Sequence, residues 1–138
     1  MSQYLSIDIG GTKIKYGIFD ASGNILEKKQ ISTPDNKEHF LSKIDSLVEK
    51  YHTNIKGLAF CAPGKVDHNQ ISFGGSLPFL DGINFTKRYK NQYSLSTSVI
   101  NDGKASVLAE NWLGSLKDEP NCAAITLGTA VGGGIIIN

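Results

Sequence analysis

A carboxylate, two glycines, a hydroxyl and an ammonium group fall within six residues near the start of the chain: Asp8, then Gly10, Gly11, Thr12 and Lys13. Glycines have no Cβ, so their backbone N–H groups can close on an anion and form a small nest. Thr12 adds a hydroxyl donor and Lys13 a positive charge. Asp8 can reach Mg2+ through water, because that ion keeps much of its hydration shell. A second stretch repeats the theme: "LGTAVGGG" (127–134) holds Gly128, Thr129, Gly132 and Gly133 between two apolar runs. Two such turns point to phosphate binding. Neither is a P-loop, whose spacing and order differ, and neither is a dinucleotide fingerprint, which needs a helix where Ile135, Ile136 and Ile137 continue as a strand.

A third group carries a base. Asp102 directly follows the apolar run "TSVIN" (97–101) and precedes Gly103, which exposes it at a strand's C-terminal edge, where ligands gather in open α/β sheets. A carboxylate placed there can orient and deprotonate a hydroxyl that attacks a phosphoryl group. The competing role for Asp102 is the N-cap of a helix over 103–112.

These residues need elements to hold them. Residues 4–9, 13–19 and 25–32 read as three strands, the last two joined at Ser22-Gly23-Asn24, which predicts an antiparallel meander. Thr33-Pro34 reads as N-cap and first helical position of a helix over about 35–52, with Phe40, Ile44, Leu47, Val48 and Tyr51 at helical spacing. Residues 55–61 form a buried strand of the parallel type. Residues 62–84 read as a long loop, and Asp67, Asp81 and Asp118 as turn residues. A short helix near 84–93 follows, with Lys87, Arg88 and Lys90 as a solvated face. Then come a strand over 97–101, the helix over 103–112 with Trp112 in the core and Glu110 as a surface charge, a strand over 122–127, a glycine turn and a last strand. Three antiparallel strands leading into parallel strands with helical crossovers make an α/β fold with a mixed sheet.

The composition is that of a globular protein. Of 138 residues, 40% are hydrophobic and 20% charged, and the net charge of +1 gives no electrostatic case for nucleic acid or an anionic membrane. Apolar runs are strand-sized, well short of the roughly 20 residues that span a bilayer. No basic-then-apolar leader is visible, and Cys61 and Cys122 read as buried thiols, so a cytoplasmic protein is expected. His39, His52 and His68 lack zinc-ligand spacing.

The end of the chain resembles its beginning: "LSIDIGGTKIKYGIF" and "AAITLGTAVGGGIII" both run strand, glycine with threonine, strand. Two equivalent hairpins imply two equivalent domains. We expect residues 1–121 to form the first, and 122–138 to be the opening hairpin of a truncated second.

"DIGGTK" (8–13), "APGKVD" (62–67), "NDGKASVLAE" (101–110) and "TLGTAVGGGIII" (126–137) occur in the order and spacing of the ROK family of sugar kinases and repressors, and the chain resembles that family over almost its whole length. The resemblance implies the actin-like, ribonuclease-H-like ATPase fold. It implies ATP and Mg2+ at Asp8–Lys13 and at the second glycine loop, and a sugar at Asn101 and Asp102, with Asp102 as catalytic base. Gly64, Lys65, Gly75 and Ser76 fall where the family touches the sugar. Ala130 stands where the second loop usually has its last glycine, which adds a methyl near the phosphates, and Lys104 stands where the family has asparagine. The family's Glu-x-x-His sugar ligands and cysteine-rich zinc motif have no counterpart here, so zinc is expected only in a missing C-terminal half. The implied protein is an ATP-dependent kinase of a hexose or N-acetyl-hexosamine, a homodimer at full length, whose 1–138 piece is inactive alone. The alternative is a sugar-sensing regulator without chemistry, which would carry a DNA-binding segment ahead of the first loop. An actin- or chaperone-like ATPase would lack the Asn101-Asp102-Gly103 pattern.

Overall fold

Leu5, Ile7 and Ile9 alternate with Tyr4, Ser6 and Asp8, and Ile14 and Ile18 continue the apolar side after the first turn. A period of two buries one face of a sheet and leaves the other polar. The computed structural model, which describes residues 1–128 and 130–138, shows this arrangement. β1 (Gln3–Ile9), β2 (Lys13–Asp20) and β3 (Ile25–Ser32) form an antiparallel meander, and β4 (Gly57–Ala62) runs parallel to β1. With β7 (Ser96–Asn101), the sheet order is β3-β2-β1-β4-β7. The chain divides into two compact units, Met1–Val99 and Ile100–Asn138.

In the first unit, the buried face of the sheet shares one core with α1 (Lys37–Tyr51) and α2 (Phe85–Tyr93), through Phe40, Ile44, Val48, Phe85 and Tyr89. Phe60 stacks on Phe85 with centroids 4.1 Å apart, and Tyr89 and Tyr93 continue the aromatic row. Asp45 of α1 ties the two helices together. Its carboxylate accepts hydrogen bonds from Arg88 Nε at 2.8 Å, from Arg88 Nη2, and from the Tyr89 hydroxyl at 2.9 Å. Burial pushes the Asp45 carboxyl up, but the bonds from Arg88 and Tyr89 outweigh it and hold the group below its ordinary range. Arg88 is therefore a paired residue between helices, not part of a solvated face.

Two local expectations change. α1 starts at Lys37, not near Thr33: Asn36 is the cap, accepting from His39 N at 2.9 Å, and Thr33 is engaged elsewhere. Residues 62–84 are not a bare loop. They hold a hairpin, β5 (Lys65–Asp67) and β6 (Gln70–Phe73), and a 3-10 turn at Pro78–Leu80, anchored by buried Ile71, Leu77, Leu80 and Ile83.

In the second unit, α3 (Asp102–Leu113) packs on the antiparallel pair β8 (Cys122–Leu127) and β9 (Val131–Ile136). The sequence reading placed Gly132, Gly133 and Gly134 in a turn, but all three lie inside β9. Close approach explains the glycines. A Cβ on Gly134 would stand 2.6 Å from Val107 Cγ1 and 2.8 Å from Gly103 O. The opposite face of the pair is bare: Ile125, Leu127, Val131 and Ile135 are all exposed. α3 and the final hairpin belong to the same compact unit, Ile100–Asn138. Trp112, expected in the core, is 54% exposed beside exposed Leu108 and Leu113. Cys61 and Cys122 are half-buried rather than fully buried. Among the described residues, no helix is long and apolar enough to cross a membrane.

Candidate functional site

The β1–β2 turn is built around one glycine the fold requires and one it does not. Gly10 N donates to Lys13 O at 3.1 Å, and a Cβ on Gly10 would meet that same oxygen at 2.6 Å. Gly11 is different. A Cβ there meets nothing within 4 Å, and Gly11 is not among the glycines with positive φ. The fold itself has no need of glycine at this position, whereas a ligand lying against the backbone would. The amides of Gly11 and Thr12 make no hydrogen bond among the described residues, so the tip presents two donors. Asp8, Lys13 and Lys15 are exposed on the polar side of the sheet, with Asp8 in register with Lys15 on one neighbour and Cys61 on the other. This donor set fits a phosphate with Mg2+, which takes one or two carboxylates and otherwise water and phosphate oxygens. Among the described residues, no group of three or more His, Cys, Asp or Glu could hold a metal.

Thr33, read from sequence as a helix cap, reaches this turn. Its N–H donates to Thr12 O at 3.0 Å and its hydroxyl to Gly10 O at 2.7 Å. The only sequence signal was its place just past β3, the strand paired with β2.

Gly64 and Gly75 come together in the same unit. Gly64 has φ +84° and Gly75 φ +61°, backbone conformations that side chains strain to adopt. A Cβ on Gly64 would fall 1.9 Å from Phe73 O and 2.7 Å from Gly75 N. Asp81 Oδ1 accepts from Gly74 N at 2.6 Å and holds the segment, a structural role as expected. Lys65 and Ser76 are exposed beside these glycines, Lys65 only loosely paired with Asp67 at 3.7 Å.

The second unit assembles the other group. Asn101 is the cap of α3, its Oδ1 accepting from Gly103 N at 2.9 Å and Lys104 N at 3.2 Å. Asp102 is the first helical residue. Its Oδ1 accepts from Gly103 N at 2.8 Å, and among the described residues Oδ2 accepts nothing. The carboxylate is exposed in the first turn of the helix. Gly103 lies on β9, where a Cβ would be 2.6 Å from both N and O of Gly133. Asn101, Asp102 and the glycine strand are thus neighbours. Gly132 and Gly133 have packing reasons to be glycine, Gly132 because a Cβ would crowd Thr126 Oγ1 at 2.8 Å. Gly128 N donates to Ala130 O at 3.0 Å across the turn. Thr129 lies outside the described residues. Glu110 does more than carry a surface charge: its carboxylate accepts from Ser115 N at 2.8 Å beyond the end of α3.

Comparison with known proteins places the chain in a family. Residues 4–138 match the model of the ROK family. A beta-glucoside kinase of Listeria monocytogenes is 33% identical over 137 residues, covering 96% of this chain and 46% of the relative. An N-acetyl-D-glucosamine kinase of Pectobacterium carotovorum is 30% identical over 142 residues, covering 98% and 46%. The crystal structure of a ROK family glucokinase from Streptomyces griseus with glucose and AMPPNP superimposes with a TM-score of 0.85 at 28% identity, over 99% of this chain and 45% of that one. The chain spans about half the length of the curated relatives it matches.

Proposed function

The chain belongs to the ROK family and has its actin-like α/β fold, and on that premise we propose that it serves an ATP-dependent sugar kinase acting on a hexose or N-acetyl-hexosamine. The observation that carries this reading is the state of Asp102. Asn101 satisfies the helix end, so the Asp102 carboxylate keeps one oxygen uncommitted at an exposed helix N-terminus beside a glycine strand. A general base needs that arrangement, because its oxygen must be able to take the sugar hydroxyl's proton.

Phosphoryl transfer asks for positioning and charge neutralisation more than covalent chemistry. The Gly11 and Thr12 amides, the Thr12 hydroxyl and the Lys13 ammonium hold phosphate oxygens. Asp8 would hold Mg2+ through the ion's water shell, and the bound ion would supply charge neutralisation for the transfer. Gly128, Thr129, Gly132 and Gly133 form the second phosphate segment. Asn101 and Asp102, with Gly64, Lys65, Gly75 and Ser76, hold the sugar. The kinase names carried by the relatives at 30–33% identity support this reading over a regulator without chemistry.

In the same proposal residues 122–138 open a second domain, zinc belongs to that further half, and the full-length protein is a cytoplasmic homodimer. The test is steady-state ATP turnover by the full-length protein with glucose, N-acetylglucosamine and a β-glucoside offered separately. Sugar-dependent formation of a sugar phosphate is expected, and none with any of the three would return the chain to a binding role.

A further inference from the structure

The tip of the β1–β2 turn is held by a residue outside the glycine motif. Thr33 follows β3 directly and takes two carbonyls of the turn: its N–H donates to Thr12 O at 3.0 Å and its hydroxyl to Gly10 O at 2.7 Å. The first bond extends the β2–β3 ladder by one step, since Lys13 pairs with Ser32. The second is not a ladder bond and depends on the side chain alone.

That side-chain bond fixes a peptide plane. The bond joining Gly10 to Gly11 is trans, as are all the described peptide bonds, so the Gly10 carbonyl and the Gly11 N–H point in opposite directions. With the carbonyl bound to Thr33, the Gly11 N–H must face away from Thr33. A Cβ at Gly11 would meet nothing within 4 Å, so the space around this residue is open. Glycines on both sides of the peptide leave few steric barriers to its rotation. A rotated peptide would present a carbonyl oxygen where a donor is needed, and would repel an anion.

We infer that Thr33 is the positioning residue of the first phosphate loop, holding the Gly10–Gly11 peptide with its N–H directed outward for the phosphates of the nucleotide. This rests on the reading of residues 8–13 as a phosphate loop. Thr33 touches no substrate; it acts through the orientation of one amide. Losing one such hydrogen bond shifts an equilibrium by about 2- to 12-fold.

The experiment compares Thr33→Val, which keeps the shape and removes the hydroxyl, with Thr33→Ser, which keeps the hydroxyl, and with Gly11→Val, all in the full-length protein. The readouts are AMPPNP affinity by calorimetry with Mg2+, the KM values for ATP and for sugar, and the melting temperature. For Thr33→Val, AMPPNP affinity and KM for ATP are expected to worsen by about 2- to 12-fold, with KM for sugar unchanged. Thr33→Ser is expected to restore both. If Gly11→Val weakens nucleotide binding but Thr33→Val does not, the Thr33 assignment is overturned while the phosphate loop stands. If a lower melting temperature is the sole effect of Thr33→Val, its role is structural and the inference fails. If neither variant alters AMPPNP binding, the phosphate-loop reading falls, and the inference with it.

Discussion

Asn101 Oδ1 lies 2.9 Å from the Gly103 amide and 3.2 Å from that of Lys104 and so caps α3, while Asp102 is the first helical residue. The division of labour between the two residues makes their variants separable. Asp102→Asn in the full-length protein should lower kcat by about 10²–10⁴-fold, the usual share of general-base assistance, with little change in melting temperature. Asn101→Ala should cost about 1 kcal/mol of stability through loss of the cap. Kinetics beside melting curves for both variants check this, and a stable Asp102→Asn protein with full kcat would remove Asp102 from the chemistry.

The two turn glycines should respond in opposite ways. Gly11→Val projects into open space, so stability should hold while KM for ATP rises by about 10-fold or more, the scale of a lost charge-assisted hydrogen bond. Gly10→Ala puts a methyl 2.6 Å from the Lys13 carbonyl oxygen, so the melting temperature should fall first. Denaturation and nucleotide kinetics on the pair would show the crossing; parallel effects would mean the turn is only a turn.

Gly64 and Gly82 share almost the same backbone torsion, φ +84° and +83°, but not the same surroundings. Gly82→Ala should cost about 1 kcal/mol, since its Cβ meets nothing within 4 Å and only the torsion is strained. Gly64→Ala adds a collision with Phe73 O and should cost well beyond that. Urea midpoints measured for both variants check the order, and equal losses would argue against the close packing of Gly64 on Gly75.

Acid should weaken the bond between α1 and α2. The folded-state pKa of Asp45 is depressed, so its contribution is present above the ordinary aspartate value of about 3.9 and disappears as pH falls through the lower folded value. Alkali acts on the other side. Burial and the Glu27 carboxylate push the Tyr51 hydroxyl up to about 12, so its share is complete below about 10 and lost as pH rises through about 12. Melting temperatures across pH should show both limbs. Asp45→Asn should flatten the acid limb alone, and an unchanged acid limb in that variant would exclude the Asp45–Arg88 pair as its source.

Much of this was legible in the residues. The meander, α1, β4, α2, β7 and α3 follow from apolar periodicity and from turn signals such as Ser22-Gly23-Asn24. The β5–β6 hairpin was hidden because its turn is His68-Asn69, with φ +47° and +64° and no glycine to announce it. Gly132 to Gly134 read as a turn because a glycine run is a turn signal in isolation; only the packing shows why a strand needs them, Gly132 and Gly133 against β8 and Gly134 against α3. The glycine motif at 8–13 was plain, but Thr33 was not. Its hydroxyl bond spans 23 residues of sequence, and locally Thr33-Pro34 is a good start for a helix.

Trp112 is the single tryptophan of the chain and stands half-exposed on α3, in the unit that begins at Ile100. The unit Met1–Val99 has no indole, and its aromatic row is made of phenylalanine and tyrosine. The molecule therefore carries two optical labels. Indole emission follows the second unit, and near-ultraviolet dichroism of the stacked tyrosines follows the first, so loss of either structure can be watched without adding a dye.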